Sequence, residues 1–335
     1  MSAHTSTPAR RRLWIAVAFA LALAAVIGGF VIVQPRLERA GIFLVPPTPT
    51  RYAELALERL DEGIVGTDQT RAEVRERVLV EAADAPDFAA LHPVLAEAAK
   101  TLGGDHSSLL TGADAATVAD TTRADAAGPV PTPTVTTQSG VTTIVVPALD
   151  SVSTADAEAY IAAARDGLEK ARSQTTAGWI VDLRGNGGGN LWPMLGALAP
   201  LLVDGHVLSF AYVDHADEVT VDGGTVRLRE AVQASAPTTF TTDLPVAVLI
   251  DGGTGSSGEA AAISFIGQPG TRLFGAPSYG FSTANQATSL YDGAVLNMTV
   301  AVDADRTGTR YGVPIEPDEQ SGDPASAAAA WLMGR

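Results

Sequence analysis

From Leu13 to Val33 the chain is one apolar run, broken only by Gly28 and Gly29. At ~1.5 Å rise per residue, a helix over it spans a ~30 Å hydrocarbon layer. Arg10, Arg11 and Arg12 precede the run, and Gln34-Pro35-Arg36 closes it. The positive-inside rule then keeps residues 1–12 in the cytoplasm and sends the rest across the membrane. A cleaved secretory signal is the competing reading, with Ala20, Ala22 and Ala24 as small-residue cleavage sites. The length of the run favours a retained single-pass anchor in the lipid bilayer over residues 13–33.

Residues 34–49 read as a linker ending in Pro46-Pro47. Helical periodicity follows over about 50–61, 69–83 and 88–102. Thr50 is placed to cap the first of these, with Tyr52, Leu55, Leu57 and Leu60 on its apolar side. Residues 50–110 therefore form an N-terminal helical region, and 111–140, rich in Ala, Thr, Asp and Pro, a connecting segment. From Val141 the pattern alternates. Strands are expected at Val141–Val146, Gly178–Leu183, Val207–Val213 and Val246–Ile250, and strand-like sequence fills 271–302. Helices are expected at Thr154–Arg172, Leu191–Leu202 and Ser257–Ile266. Residues 214–243 read as a small hairpin excursion, or cap. Ser326 is placed to cap a closing helix within 323–335. Strands alternating with helices predict an α/β core, mixed with α+β features, over residues 141–322.

Composition narrows the chemistry. The 335 residues are 46% hydrophobic and carry a formal net charge of −16, which argues against nucleic acid as a partner. There is no cysteine, so thiolate metal sites and disulfides are excluded. Lysine occurs only at Lys100 and Lys170.

Two glycine-rich turns each join a buried strand to a helix. The first is Asp182-Leu-Arg-Gly-Asn-Gly-Gly-Gly-Asn190. Its bare N–H groups suit either a phosphate or the oxyanion of a tetrahedral intermediate, and Asn190 fits a dinucleotide fingerprint poorly. The second is Asp251-Gly-Gly-Thr-Gly-Ser-Ser-Gly-Glu259. It has no lysine, so it is not a Walker-type phosphate loop. A serine here is either a helix cap or an exposed nucleophile.

Together with Gly275-Ala-Pro-Ser-Tyr-Gly280 and Tyr311-Gly-Val-Pro-Ile-Glu-Pro-Asp318, these turns resemble the C-terminal processing (tail-specific) serine peptidases. The apolar N-terminus and the lack of room for a PDZ domain are most similar to the nisin-resistance-protein branch. The resemblance implies a crotonase/ClpP-like peptidase core, no cofactor or metal, and a peptide or protein-tail substrate. A lantibiotic-type peptide is one such substrate by analogy. Motif for motif, Ser256 falls at the nucleophile. The N–H groups of Ser257 and of Gly187 or Gly188 fall at the oxyanion hole. Glu259, Asp182 and Arg184 fall in supporting places.

One departure matters. Where many members carry a general-base lysine, this chain has Phe281, with Asn285 near the place of a supporting glutamine. No lysine follows Lys170. Histidine-using branches carry the base in a Gly-x-His-Ser loop, and Gly104-Asp-His-Ser107 matches it, which gives His106 that role. An imidazole suits the task near neutral pH. Its orienting partner stays open between Asp105 and Glu259. Glu259 can equally cap its own helix or pair with Arg184. The alternative to a membrane-anchored, extracytoplasmic Ser–His endopeptidase is an inactive, membrane-tethered peptide-binding module on the same fold.

Overall fold

The computed structural model describes residues 34, 36–39, 41–116, 130–150, 153–235 and 242–334. The expected anchor at 13–33 lies outside the described residues. Among the described residues no helix is long and apolar enough to cross a membrane.

Three helices open the described chain: α1 (Pro49–Leu60), α2 (Asp68–Asp84) and α3 (His92–Gly103). The cap of α1 is Thr48, not Thr50, and its side chain accepts the Arg51 N–H at 3.2 Å. Proline explains the shift. Pro49 has no N–H to lose and a fixed φ that suits the first helical position, so the helix starts earlier than its apolar periodicity. The closing helix repeats this: Pro324 leads α7 (Pro324–Met333), and Asp323, not Ser326, is its cap.

The strands are β1 (Ser108–Leu110), β2 (Thr134–Gln138), β3 (Val141–Val145), β4 (Gly178–Asp182), β5 (Gly205–Ala211), β6 (Ala216–Asp222), β7 (Thr225–Leu228), β8 (Ala231–Ser235), β9 (Val246–Ile250), β10 (Thr271–Gly275), β11 (Thr283–Ser289), β12 (Val295–Asp305) and β13 (Glu319–Gln320). They form two sheets. The first runs β13-β10-β9-β4-β3-β2, parallel throughout except for the β2–β3 pair. Its central strands, β4 and β9, are buried at every position, as a parallel sheet covered on both faces requires. The second sheet runs β1-β12-β5-β6-β7-β8 with β11 also on β12, and is antiparallel.

Two expectations change here. The end of the 111–140 connector supplies β2 to the first sheet. The 214–243 stretch is not a detached hairpin: it supplies β6, β7 and β8 to the second sheet, with Val219, Val221 and Val226 in the main core.

Helices α4 (Thr154–Ala171), α5 (Leu191–Leu198) and α6 (Ser257–Ile263) share that main core with both sheets. Helix α7 packs on the other face of the first sheet, against Ile180, Ala247, Leu249 and Phe274. Helices α1–α3 close a separate core over Leu296, Met298 and Val300 of β12. Strand β12 thus joins the helical region to the rest of the molecule.

Candidate active site

The site begins with register. Strands β4 and β9 are parallel neighbours, with Asp182 opposite Leu249. The glycine-rich turns that leave their C-terminal ends must therefore lie side by side, where open α/β sheets commonly bind ligands. The turns are bonded backbone to backbone. Gly255 N–H donates to Asn186 O at 2.9 Å, and Ser257 Oγ donates to Gly189 O at 2.7 Å. Asp251 Oδ1 accepts the Gly185 N–H at 2.9 Å, and Thr254 Oγ1 donates to Leu183 O at 2.8 Å. Only glycine fits at Gly188, which has φ +112°. A Cβ there would stand 2.9 Å from Ser256 Cβ and 3.0 Å from Ser257 N.

Ser256 sits immediately before α6 with φ 49° and ψ −121°. A non-glycine residue held there stores strain of about 1–3 kcal/mol, a feature concentrated at functional sites. A serine held on a sharp strand-to-helix turn matches the geometry of nucleophile elbows.

Glu259, one turn into α6, holds this conformation. Its Oε2 accepts the N–H of Ser256 at 2.9 Å and of Phe281 at 2.7 Å. Its Oε1 accepts the N–H of Gly280 at 2.9 Å and the Ser278 hydroxyl at 2.5 Å. Ser278 Oγ in turn accepts the Ile315 N–H at 2.7 Å. One buried carboxylate thereby ties together three of the four motifs. Burial pushes its pKa up, and the four donors oppose that shift. The open question about Glu259 is answered: it caps its own helix and does not pair with Arg184. The partner of Arg184 is Asp182, with Nε at 2.8 Å and an Nη at 2.6 Å, and Asp182 also accepts the Arg184 N–H. That closed pair fixes the entry to the first turn.

His106 reaches the site from the other side. Gly104, at φ +82°, ends α3 and turns the chain back. Ser107 Oγ then donates to Thr299 Oγ1 at 3.0 Å and accepts the Thr299 N–H at 2.9 Å. Asn285 Nδ2 donates to His106 O at 2.9 Å, so the loop is fastened to both β11 and β12. The imidazole stacks on the Phe281 ring, centroids 4.4 Å apart and planes at 13°. Its Nδ1 lies 2.7 Å from Thr283 Oγ1. Burial lowers its pKa, because desolvation disfavours the charged ring.

Ser256, Ser257 and Thr283 line one cleft. The chain from Ser256 through Glu259 to Phe281, and from its ring to His106, is continuous. Asp105 is exposed, and neither Asp105 nor Glu259 touches the imidazole among the hydrogen bonds of the described residues. The group that meets the imidazole is Thr283, which nothing in the sequence marked out from other strand threonines. The remaining described histidines are engaged elsewhere: His92 with Asp292, His206 with Ser209, and His215 with Asp214.

The two glycines expected at an oxyanion hole also separate. Gly188 N–H is committed to Asn186 Oδ1 at 3.0 Å, whereas Gly187 is exposed. Among the described residues, the N–H groups of Gly187 and Ser257 meet no acceptor. Among the same residues, no group of His, Cys, Asp and Glu is arranged to hold a metal ion.

The family model for peptidase family S41 matches residues 143–321. The chain belongs to this family. It is accordingly a serine peptidase, with a mixed α/β fold. It is 33% identical over 299 residues to the nisin-resistance protein of Lactococcus lactis subsp. lactis, covering 88% of this chain and 90% of that one. A lipoprotein from Streptococcus agalactiae has a similar structure, with TM-score 0.73 and 26% identity, covering 88% of this chain and 99% of that one. The photosystem II D1 C-terminal processing protease shares the fold at TM-score 0.56 and 16% identity, covering 82% of this chain and 94% of that one.

Proposed function

We propose that the chain is a membrane-anchored serine endopeptidase acting outside the cytoplasm, with Ser256 as nucleophile and His106 as general base. The observation that carries this reading is the Glu259 clamp. One carboxylate oxygen holds the backbone of both Ser256 and Phe281, and the Phe281 ring lies flat on the His106 imidazole. The position that lacks lysine has instead become the shelf for the histidine.

The chemistry follows from the hydrogen bonds. When His106 Nδ1–H donates to Thr283 Oγ1, Nε2 keeps its lone pair and can take the Ser256 proton. Ser256 Oγ attacks the peptide carbonyl, and the amine leaves with a proton returned by His106. Water then hydrolyses the acyl-enzyme by the same path. The N–H groups of Gly187 and Ser257 are the donors for the oxyanion, with the N-terminal end of α6 behind them. Asp182, Arg184 and Asn186 keep the first turn in shape.

The substrate in this reading is an extended peptide or protein tail. By the name of the Lactococcus relative, a peptide of the nisin type is a candidate. The anchor at residues 13–33 would keep the enzyme at the outer face of the membrane.

A fluorophosphonate probe tests the reaction. The wild-type protein should label, and Ser256→Ala and His106→Ala should not. A wild-type protein that stays unlabelled yet binds peptides would instead be an inactive peptide-binding module. Protease accessibility in intact cells tests the topology: a C-terminal part protected from added protease would sink the extracytoplasmic placement.

A further inference from the structure

The cleft beside Ser256 contains a group that the proposed reaction does not use. Asp303, near the end of β12, lines it and is the sole ionisable residue to do so. Its side chain is buried, and neither carboxyl oxygen has a hydrogen-bond partner. Asn285 lines the same cleft. Its Nδ2 is committed to His106 O, and its Oδ1 is buried without a partner. Three buried oxygen atoms thus stand unpartnered around one space of about 280 Å³. That is just below the roughly 300–1,000 Å³ of a small-molecule site, a scale suited to one long side chain. Native structures rarely leave such atoms unpaired without a functional reason.

We propose that this cleft takes the side chain of the residue whose carbonyl Ser256 attacks, and selects lysine or arginine there through the Asp303 carboxyl and the Asn285 side-chain carbonyl. The inference rests on the serine-peptidase reading above.

The walls fit such a ligand. Leu191, Trp192 and Phe210 line the cleft, and the two aromatic rings meet edge to face at 6.2 Å. An aliphatic stem packs on such surfaces while its charged end seeks acceptors, and an aromatic face also attracts a cation. The ammonium of lysine has three donors and the guanidinium of arginine five, against three unpartnered oxygens. Burial and the neighbouring charge of Glu259 push the Asp303 pKa up to about 8. A cation entering the cleft supplies the opposite charge that the buried carboxylate lacks. The net charge of −16 would draw a basic peptide toward the molecule before it docks.

The test uses the full-length protein in detergent and internally quenched peptides that differ at one position, the residue before the cut. Lysine and arginine should exceed norleucine in kcat/KM by about tenfold or more, because a polar site rejects ligands that leave its groups unpaired. Asp303→Asn should collapse that ratio toward one. The ratio is taken within each protein, so a general loss of activity cancels. A second measurement needs no turnover: calorimetry with Ser256→Ala, comparing product peptides that end in lysine or norleucine, should favour lysine. A wild-type enzyme that labels with fluorophosphonate but prefers norleucine overturns the cleft assignment and leaves the peptidase reading intact. So does a lysine preference that survives Asp303→Asn. An unlabelled wild type with equal binding of both product peptides overturns both.

Discussion

Replacing Asp303 by asparagine should stabilise the free protein, and should do so increasingly as pH rises. Burial, with a smaller contribution from Glu259, moves the carboxyl from an ordinary 3.8 to about 8. Below pH ~3 the group is protonated in both the folded and unfolded chains and contributes no pH dependence. Above that, the unfolded chain ionises while the folded one keeps its proton, so unfolding releases a proton and stability falls with rising pH. The fall ends near pH 8, where the folded group ionises too. Each pKa unit is worth ~1.4 kcal/mol, so a shift of about four units amounts to a penalty on the order of 5 kcal/mol once complete. Asparagine keeps the shape, cannot ionise and removes this slope. At ~2 °C per kcal/mol for a chain of this size, Tm of the variant should exceed that of wild type by roughly 10 °C at pH 8. The gap should narrow to about 2 °C near pH 4.5, where the unfolded group is already mostly ionised, and close only below about pH 3. Differential scanning calorimetry from pH 4.5 to 8.5 makes the comparison, and the other carboxylates cancel in the difference. A difference that does not vary with pH would refute the reasoning, because Asp303 would then have to ionise normally in the folded chain. A variant less stable than wild type by the same amount at every pH would show instead only the cost of burying an unpaired amide.

Other expectations concern the reacting groups. His106 must be neutral to act as base, and burial lowers its pKa, so kcat/KM should hold as pH drops through 6.5 and fall only below it; a midpoint above 7 contradicts this. Phe281→Ala uncovers the ring and should move that midpoint back up toward 6.5. Thr283→Val removes the contact at Nδ1 and should reduce kcat by about tenfold with little change in KM, whereas Thr283→Ser should restore most of it; an unchanged kcat in the valine variant refutes an orienting role. Glu259→Gln sets an amide NH₂ against two of the four donors now held by the carboxylate. The loss should be about 3 kcal/mol or more in denaturant unfolding, together with slower fluorophosphonate labelling; full stability would mean the clamp contributes little.

The parts of this site legible in the sequence are those written in local backbone chemistry. Gly188 must be glycine because Ser256 packs against it, and a cluster of glycines between a buried strand and a helix is visible without coordinates. The proposed base, His106, comes from the family resemblance of its loop together with the near absence of lysine. Proline misled in the same way twice, starting α1 and α7 earlier than their apolar patterns.

What stayed hidden depends on pairing across the second sheet. Thr283 and Asp303 read as ordinary positions of two strands, Asn285 stands out only through the family resemblance, and no local spacing links the three to Ser256 or His106. Their meeting rests on the β11–β12 register, which shifts between Ala284 and Asn285. In a regular strand Ala284 would point to the opposite face from its two neighbours. Here all three consecutive residues, Thr283, Ala284 and Asn285, line the cleft with Asp303. Thr283 and Asn285 share a face of β11 by ordinary alternation, so one strand face meets the imidazole and holds the histidine loop while bordering the substrate space. The extra residue at the shift is Val300 of β12, which has no partner in the register, and alternation in the sequence cannot reveal such a bulge. The histidine loop's support and one of the cleft's unpartnered oxygens therefore belong to the same side chain, Asn285. Removing that side chain should disturb side-chain preference and catalysis together.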